Sequence, residues 1–520
     1  MYYFVPSWYS KERKWSAETP VWYRTFEQMS FDDTVNQVKM FDHADEKAGL
    51  ILLGYQPQLH YFFHKHGLHR VSYWSFFDDI QNIAVSNQVA IHFKDLNWPE
   101  GVQFIYSPFA VIAQSDAGKL AEIHFAENGN LLHIQFFQGD LFDKKYVFDD
   151  RGFLSSLIYF RDNQPYYQDY LNTNGVWQVR EWFAEKDYLL EINPVSDKPM
   201  AHSFYQSWEA LMLERLEVFK KMHVKEKDVL VITADQQHAS MFLNVFPLHH
   251  KMFSFFGQRF DMEDKELLSS ILLFSKHILV DTSSKEEEIL QFIAYQGLTD
   301  VSLHRITPFD TRLRLGQSQL LREIILYCLV DGVEDMPKLF PILLDIMEKY
   351  PTIHLHFVTY QKDYPLQYLE NQIVSHIYEA RDVNRFFTAK SLMGENQIDE
   401  GEDDFVLKSI QFGCLTNENQ IIQQLDTARL VLDLSPQPDL YTQIAAISAG
   451  VPQINRVQTA YVEHKENGWV LKHAGDLEAA VQYFCDGLAN WNRSLVKSVE
   501  LMTDYTGGNL IKQWKEFFEN

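Results

Sequence analysis

Phe125–Phe137 reads FAENGNLLHIQFF, Phe148–Phe160 reads FDDRGFLSSLIYF, and Leu171–Phe183 reads LNTNGVWQVREWF; the three segments start 23 residues apart. Each sets a glycine (Gly129, Gly152, Gly175) in a polar turn. Seven and eight residues after each glycine come the aromatic pairs Phe136/Phe137, Tyr159/Phe160 and Trp182/Phe183. Glycine supplies the positive φ that tight turns need, and aromatic side chains suit a pleated surface. Regular turns followed by short extended runs predict an antiparallel β-meander.

Outside the repeats the pattern changes. Met1–Val5 reads as a strand ended by Pro6, and GLILLG at Gly49–Gly54 as a buried strand between glycines. Phe104–Tyr106 and Ala110–Ala113 carry strand character, and Tyr73–Val85 reads as a helix. VLVIT at Val229–Thr233, His277–Val280 and Val301–Ile306 resume the strands after the repeats. Strands alternating with helical periodicity predict parallel α/β sheets. A second such unit starts near Thr307, with strands at Glu323–Leu329, His354–Tyr360 and Leu430–Leu434. Leu510, Ile511, Trp514, Phe517 and Phe518 form one apolar stripe of a terminal helix.

The expected fold is therefore α/β, with two Rossmann-like domains and an inserted antiparallel β-meander. The boundaries read as 1–114 plus 195–306 for a discontinuous N-terminal domain and 115–194 for the meander. The second domain spans 307–508, and 509–520 is a C-terminal crossover helix.

The 520 residues include 46 Lys and Arg against 71 Asp and Glu, a formal net charge of −25. Such a surface disfavours nucleic acid and anionic lipid, so no nucleic-acid partner is expected and membrane contact is at most peripheral. Three separated cysteines, with no C-x-x-C, point to a reducing compartment. No apolar run is long enough to span a bilayer, so the expected location is the cytoplasm. Phosphate-loop, dinucleotide, hydrolase-elbow and zincin motifs are absent. His60, His64, His66 and His69 crowd one helix and its end, but no carboxylate or cysteine adjoins them in sequence. They read as surface or helix-end histidines, and neither a metal nor a cofactor is expected.

AISAGVPQI at Ala446–Ile454 and NGWVL at Asn467–Leu471 resemble the helix–Gly–x–Pro–strand passage of GT-B glycosyltransferases. Active retaining members of that fold carry two glutamates, eight residues apart, before this passage. The corresponding positions here are Gln437 and Ala445. The family also places a basic pair after the first strand of the second domain. Here LYCLVDGVED, Leu326–Asp335, offers Asp331, Glu334 and Asp335 instead. One like charge at about 4 Å costs about 4 kcal/mol at an effective dielectric of about 20. The resemblance thus implies a glycosyltransferase-like protein with a degenerate donor site and no catalytic residues.

MYYFVPSWYS at the start, WYRTFEQMSFDDTVNQVKMF (Trp22–Phe41) and LLGYQPQLHYFFHKHG (Leu52–Gly67) carry a closer likeness. They resemble the first protein of the accessory secretion series of the accessory Sec system, found in streptococci and related Gram-positive bacteria. That resemblance implies several partners: the second and third proteins of the series, the accessory SecA motor, and a glycosylated serine-rich-repeat adhesin.

Ser7, Trp8 and Tyr9 follow the first strand, where open α/β sheets place ligands, and are candidate cleft residues. Asp439 and Tyr441 adjoin the degenerate motif, although an Asp opening a helix is commonly its cap. The meander aromatics Phe136, Tyr159, Trp177 and Trp182 suit stacking on sugar rings or gripping an extended polypeptide; the inner face of a sheet gives the same pattern. The acidic segment Asp399–Asp404 reads as a solvated loop. The leading function is a non-catalytic scaffold that binds glycan or adhesin through a GT-B-like cleft or the meander. An active glycosyltransferase with an atypical nucleotide-sugar site and a purely architectural subunit are the alternatives.

Overall fold

Parallel strands buried on both faces need near-continuous apolar sequence, and the chain supplies it twice. In the computed structural model, the described residues are 1–10, 12–17, 32–84, 89–116, 118–334, 336–389 and 405–519. Asp335 and the acidic segment 399–404 lie outside them.

The strands are Tyr2–Val5 (β1), Ala48–Leu52 (β2), Ser72–Ser75 (β3), Gln103–Tyr106 (β4), Val111–Ser115 (β5), Gly118–Phe125 (β6), Leu131–Gln138 (β7), Leu141–Asp149 (β8) and Phe153–Arg161 (β9). They continue with Gln164–Leu171 (β10), Trp177–Trp182 (β11), Leu190–Ile192 (β12), Phe204–Tyr205 (β13), Val229–Thr233 (β14), His250–Phe255 (β15), His277–Val280 (β16) and Ser302–Arg305 (β17). Then come Ile324–Leu329 (β18), Ile353–Thr359 (β19), Phe387–Ala389 (β20), Phe405–Leu407 (β21), Ile410–Cys414 (β22), Ala428–Asp433 (β23), Gln453–Asn455 (β24) and Gly468–Val470 (β25).

The chain divides into two compact units. One is built from the first 17 residues with 33–280 and 287–304, the other from 281–286 with the chain from 305 onward. The first unit holds a sheet in the order β17-β16-β15-β14-β1-β2-β3, parallel from β3 through to β16. Val5, Ile51, Ile232, Phe253 and Ile278 are fully buried along it. The second unit holds a parallel sheet in the order β22-β19-β18-β23-β24-β25, with Leu326, Leu355, Leu430 and Ile454 buried.

The antiparallel sheet of the first unit runs from β4 to β13 with each strand beside its successor. It is wider than the repeats foretell. Phe104–Tyr106 and Ala110–Ala113, read as part of the α/β pattern, open this sheet, and Phe204–Tyr205 closes it. The repeat detects only hairpins with a glycine turn and an aromatic run, so the plainer flanking strands escaped it. Likewise the expected helix Tyr73–Val85 is strand β3 followed by a short helix, Phe76–Ile80, capped by Ser75. In the terminal helix Gly507–Glu519, Leu510, Ile511 and Trp514 are buried, as their stripe predicts.

The meander is bolted to the parallel sheet by polar groups. The Tyr55 hydroxyl reaches Ser155 and Ser156 Oγ at 2.9 Å each. Gln81 donates to the carbonyls of Ser155 (2.9 Å) and Leu171 (2.6 Å), and Gln58 to that of Phe148 (3.1 Å). All are buried, so each is a donor that would be costly to leave unpaired.

The three repeat glycines all have positive φ: 81° at Gly129, 92° at Gly152 and 78° at Gly175. Their surroundings differ. A Cβ at Gly129 or Gly175 meets nothing within 4 Å, whereas at Gly152 it falls 1.8 Å from the Val89 carbonyl oxygen. Gly129→Ala and Gly175→Ala should therefore cost about 1–2 kcal/mol of backbone strain. Gly152→Ala should cost about 3 kcal/mol because backbone must also move. Urea denaturation of the three variants checks the ranking.

Candidate functional site

In the second unit the crevice at the carboxyl ends of β18, β19 and β23 is the place an open α/β sheet offers to a ligand. The chain fills it with its own polar groups. Asp433, at the end of β23, is buried and accepts from the backbone N–H of Ser435 (3.2 Å) and Asp439 (2.7 Å). Burial pushes its carboxyl up to about 7. Asp439 caps the helix Leu440–Ala449, accepting from the Thr442 N–H (2.7 Å) and hydroxyl (2.6 Å). Thr442 Oγ1 meets the Tyr360 hydroxyl at 2.6 Å, which meets that of Tyr327 at 2.7 Å. Asp331 accepts from the Thr359 hydroxyl and from the Tyr360 N–H, the latter at 2.7 Å. Burial also raises the carboxyls of Asp331 and Asp439 above the usual range.

Gln437 lies in the short turn before that helix, its N–H and carbonyl both bonded to Ser435 Oγ at 3.1 and 3.0 Å. Ala445 packs against a buried apolar cluster beneath the helix. Tyr441 stands edge-on to Phe309, ring centroids 5.2 Å apart. Asp439 is thus a helix cap and Tyr441 a packing residue. Gly450 ends the helix with φ 70°, the left-handed cap that the Gly–x–Pro motif requires.

The loop after β18 carries no basic group for this crevice. The fold brings in two from elsewhere. A neighbouring pocket of about 460 Å³ is lined by Arg456, Lys472 and His473, with Glu334, Pro436 and Leu434.

In the first unit Ser7, Trp8 and Tyr9 follow β1, which lies between β14 and β2 where the strand order switches. The Ser7 hydroxyl donates to Asp235. The Tyr9 hydroxyl donates to His238 Nδ1 at 2.9 Å, because His238 Nε2 donates to the Thr233 carbonyl at 2.8 Å. Burial lowers the His238 pKa, which keeps the ring neutral in this tautomer. With both ring nitrogens engaged, His238 is not a base for Ser7, and the trio is no activated nucleophile. Trp8 lies on Phe62 at 4.8 Å, and its indole Nε1 is buried without a hydrogen-bond partner among the described residues. A buried donor left over is what a ligand-accepting site presents.

The histidines do not converge. His60 Nδ1 sits 3.0 Å from Asp150, and its Nε2 is 3.0 Å from the Tyr73 hydroxyl. Asp149 completes a His60–Asp149–Asp150 group with the spacing of metal ligands. Its carboxylate, however, is held by Arg151 at 2.7 and 2.8 Å, and Arg151 also grips Asp78 at 2.7 and 2.9 Å. Arg151, Asp149 and Asp78 form an ion-pair lattice joining the Gly152 turn to the helix Phe76–Ile80, with His60 and Asp150 bonded beside it.

The meander aromatics form a row. Phe136 pairs with Lys144, Lys144 with Tyr159, Tyr159 with Tyr167, and Tyr167 with Trp182, on five successive strands. At about 4.8 Å per strand the row is about 19 Å long. At its β7 end Phe136, likewise half-buried, packs with Trp98 and Tyr146. At its β9–β11 end Tyr159 and Tyr167 are half-buried and 4.6 Å apart, and Tyr167 lies 5.1 Å from Trp182, which is buried. Arg180 lies over Tyr167, Trp177 and Trp182 at 4.2, 4.7 and 5.3 Å, and is neutralised by Asp169 at 2.6 and 2.9 Å. Of the four aromatics the sequence nominates, Tyr159, Trp177 and Trp182 share this end and Phe136 does not. Tyr167, Arg180 and Asp169 were missed. The alternation of Tyr167 and Asp169 on β10, facing the Trp182 and Arg180 of β11, is the signal that finds them.

Among the described residues, no helix is long and apolar enough to cross a membrane. Comparison with known proteins matches the whole chain, residues 1–520, to the family model described as an accessory Sec system protein, the first of its series. The accessory Sec system protein of this kind from Streptococcus gordonii is 34% identical over 526 residues, covering 100% of this chain and 99% of the relative. The crystal structure of accessory secretory proteins 1, 2 and 3 of Streptococcus pneumoniae includes a chain 31% identical, with TM-score 0.79 and coverage of 100% and 99%. The pneumococcal O-GlcNAc transferase GtfA, solved with UDP and GlcNAc, superposes with TM-score 0.71 over 100% of this chain and 98% of its own, at 12% identity. That last likeness shows the fold alone, a glycosyltransferase architecture of the GT-B kind.

Proposed function

The chain belongs to the accessory Sec system protein family typified by accessory secretory protein 1, and from that membership we propose that it is a non-catalytic scaffold of the export machinery. It works in the cytoplasm with the second and third proteins of the series, as its pneumococcal relative is crystallised with them. The glycosylated adhesin and the accessory SecA motor complete the assembly, and contact with the membrane is peripheral.

The observation that carries the non-catalytic reading is the self-satisfied crevice of the second unit. Asp331, Asp433 and Asp439 bond to the chain's own N–H and hydroxyl groups where a donor diphosphate would lie. Catalysis of sugar transfer depends on groups that stabilise the departing diphosphate. The Gln437 and Ala445 positions offer no carboxylate in place of the family's glutamates.

The adhesin-binding reading rests on the half-buried aromatics Tyr159, Tyr167 and Trp177, with the buried Trp182 packed beside Tyr167. Aromatic faces around a neutralised Arg–Asp pair suit a neutral glycan, because binding there requires no net charge to be desolvated. The test is co-purification of the protein with the second and third proteins, followed by titration with glycosylated and unglycosylated adhesin segments. Preference for the glycosylated segment, little affected by salt, is the expected result. Equal affinity for both segments would contradict it.

One observation favours a second reading. Arg456 and Lys472 beside the crevice offer cationic contacts that a nucleotide sugar needs. On that reading the protein retains donor binding, and UDP titration separates the two.

A further inference from the structure

The sheet has a second face, and near its β11 end lies a pocket of about 450 Å³. That volume is in the range of roughly 300–1,000 Å³ typical of small-molecule sites. Successive strand residues point to opposite faces, so Glu181 and Phe183 lie across the sheet from Trp182 and the aromatic row. Three elements meet here: the N-terminal segment 12–15, the end of β11, and the start of the helix Trp208–His223.

The floor is rigid. Glu181 is buried and accepts from Trp208 Nε1 (3.1 Å), the Tyr170 hydroxyl (3.0 Å) and the Arg13 guanidinium. Trp15 is buried, its Nε1 donating to Glu209 at 3.0 Å, and Lys14 pairs with the same carboxylate. Phe183 is 39% exposed, with the Arg13 guanidinium 5.0 Å from its ring centre. Leu189 adds an apolar wall.

The charges decide what fits. Arg13 is neutralised by Glu181 and Lys14 by Glu209, so an anion gains little by entering, and the exposed Glu12 carboxylate, screened by water, draws a cation only weakly. Hydrogen-bonding capacity is nevertheless left over at the rim. An ammonium has three protons, and Lys14 commits one to Glu209. The Glu12 carboxylate is exposed and has no partner among the described residues. A ligand with one apolar face for Phe183 and hydroxyls on its edge satisfies both requirements. A lipid chain would find too many polar walls.

We propose that this pocket is a sugar site that seats one neutral pyranose ring against Phe183, with its hydroxyls on Glu12, Lys14 and Glu209. It is separate from the aromatic row, so a branched or long glycan can be held on both faces of the sheet at once. Two linked contacts raise the overall affinity by effective concentration without new partners.

Saturation-transfer NMR with the methyl glycosides of glucose and N-acetylglucosamine, on the full chain, tests it. Transfer to the ring protons of one face is expected, with Kd of about 1–10 mM. Transfer should persist in a Trp177→Ala, Tyr167→Ala background, which silences the row on the other face; in that background Phe183→Ala should weaken binding at least tenfold and Phe183→Leu should restore part of it. Thermal melting of each variant verifies folding. No transfer at tens of millimolar sugar, or binding in that background indifferent to Phe183→Ala, would overturn the pocket. Binding lost in the Trp177→Ala, Tyr167→Ala background but kept in Phe183→Ala alone would also overturn it and assign the sugar to the aromatic row.

Discussion

Replacing Arg151 by methionine should lower the stability of the first unit by about 3–5 kcal/mol near neutral pH. Arg151 and Asp149 expose only 4% and 5% of their side chains, and the guanidinium makes four bonds of 2.7–2.9 Å to Asp149 and Asp78. Methionine fills similar volume but leaves the buried Asp149 carboxylate without its counter-ion, keeping only the backbone N–H of residue 151 at 2.9 Å. Burial already pushes that carboxyl up to about 6, against the opposing pull of Arg151. Without Arg151 it rises further. The sign follows from linkage: a folded carboxyl with a raised pKa binds more protons than the unfolded chain, so stability falls as pH rises through that pKa. The loss in Arg151→Met should thus be smaller at pH 5 than at pH 8, and Asp149→Asn in the same chain should recover part of it. Urea denaturation at the two pH values measures both. A loss below about 1 kcal/mol at pH 8 would show that the ion pairs are not what holds the turn to the helix Phe76–Ile80.

The second large effect concerns binding. Trp177→Ala and Tyr167→Ala together should weaken capture of the glycosylated adhesin by about thirtyfold, the loss of about 2 kcal/mol expected for a central aromatic contact. Trp177 and Tyr167 lie 4.7 and 4.2 Å from the Arg180 guanidinium, so the double variant removes the two nearest of the three rings around it while Asp169 keeps the arginine neutral. Phe136→Ala, at the far β7 end of the row and packed on Trp98, should instead lower stability and leave affinity intact. Association with the second and third proteins serves as the control. Surface plasmon resonance on the assembled complex reads all three. Unchanged capture by the double variant would remove the row from the account.

How much of this was legible in the chain depends on the period of each signal. The glycine–aromatic repeat announced an antiparallel insert because its turns need positive φ and its runs are long. Strands β4, β5 and β13 carry no such turn, and β4 and β13 are nearly edge-exposed, so their sequences lack the alternation that burial imposes. The Gly450–Pro452 passage located the helix cap and the degenerate positions Gln437 and Ala445 because a left-handed cap is a local requirement. What local reading could not supply was assembly across the fold. Arg456 and Lys472 come to the crevice from the ends of β24 and β25, more than 100 residues after β18. The pairing of Asp169 with Arg180 and the meeting of Arg13 with Glu181 depend on strand register and on chain ends meeting. The adjacent pair Trp182/Phe183 was readable as two-faced, and it is: Trp182 is 9% exposed and Phe183 39%.

The central claim is that the second unit has the shape of a sugar-transfer domain without its donor chemistry. Calorimetric titration of the full chain with UDP and UDP-N-acetylglucosamine tests it most directly. The account predicts no saturable heat up to millimolar ligand, since Asp331, Asp433 and Asp439 occupy the crevice. Micromolar, saturable binding that is lost on Arg456→Ala would contradict it and make the protein a nucleotide-sugar binder.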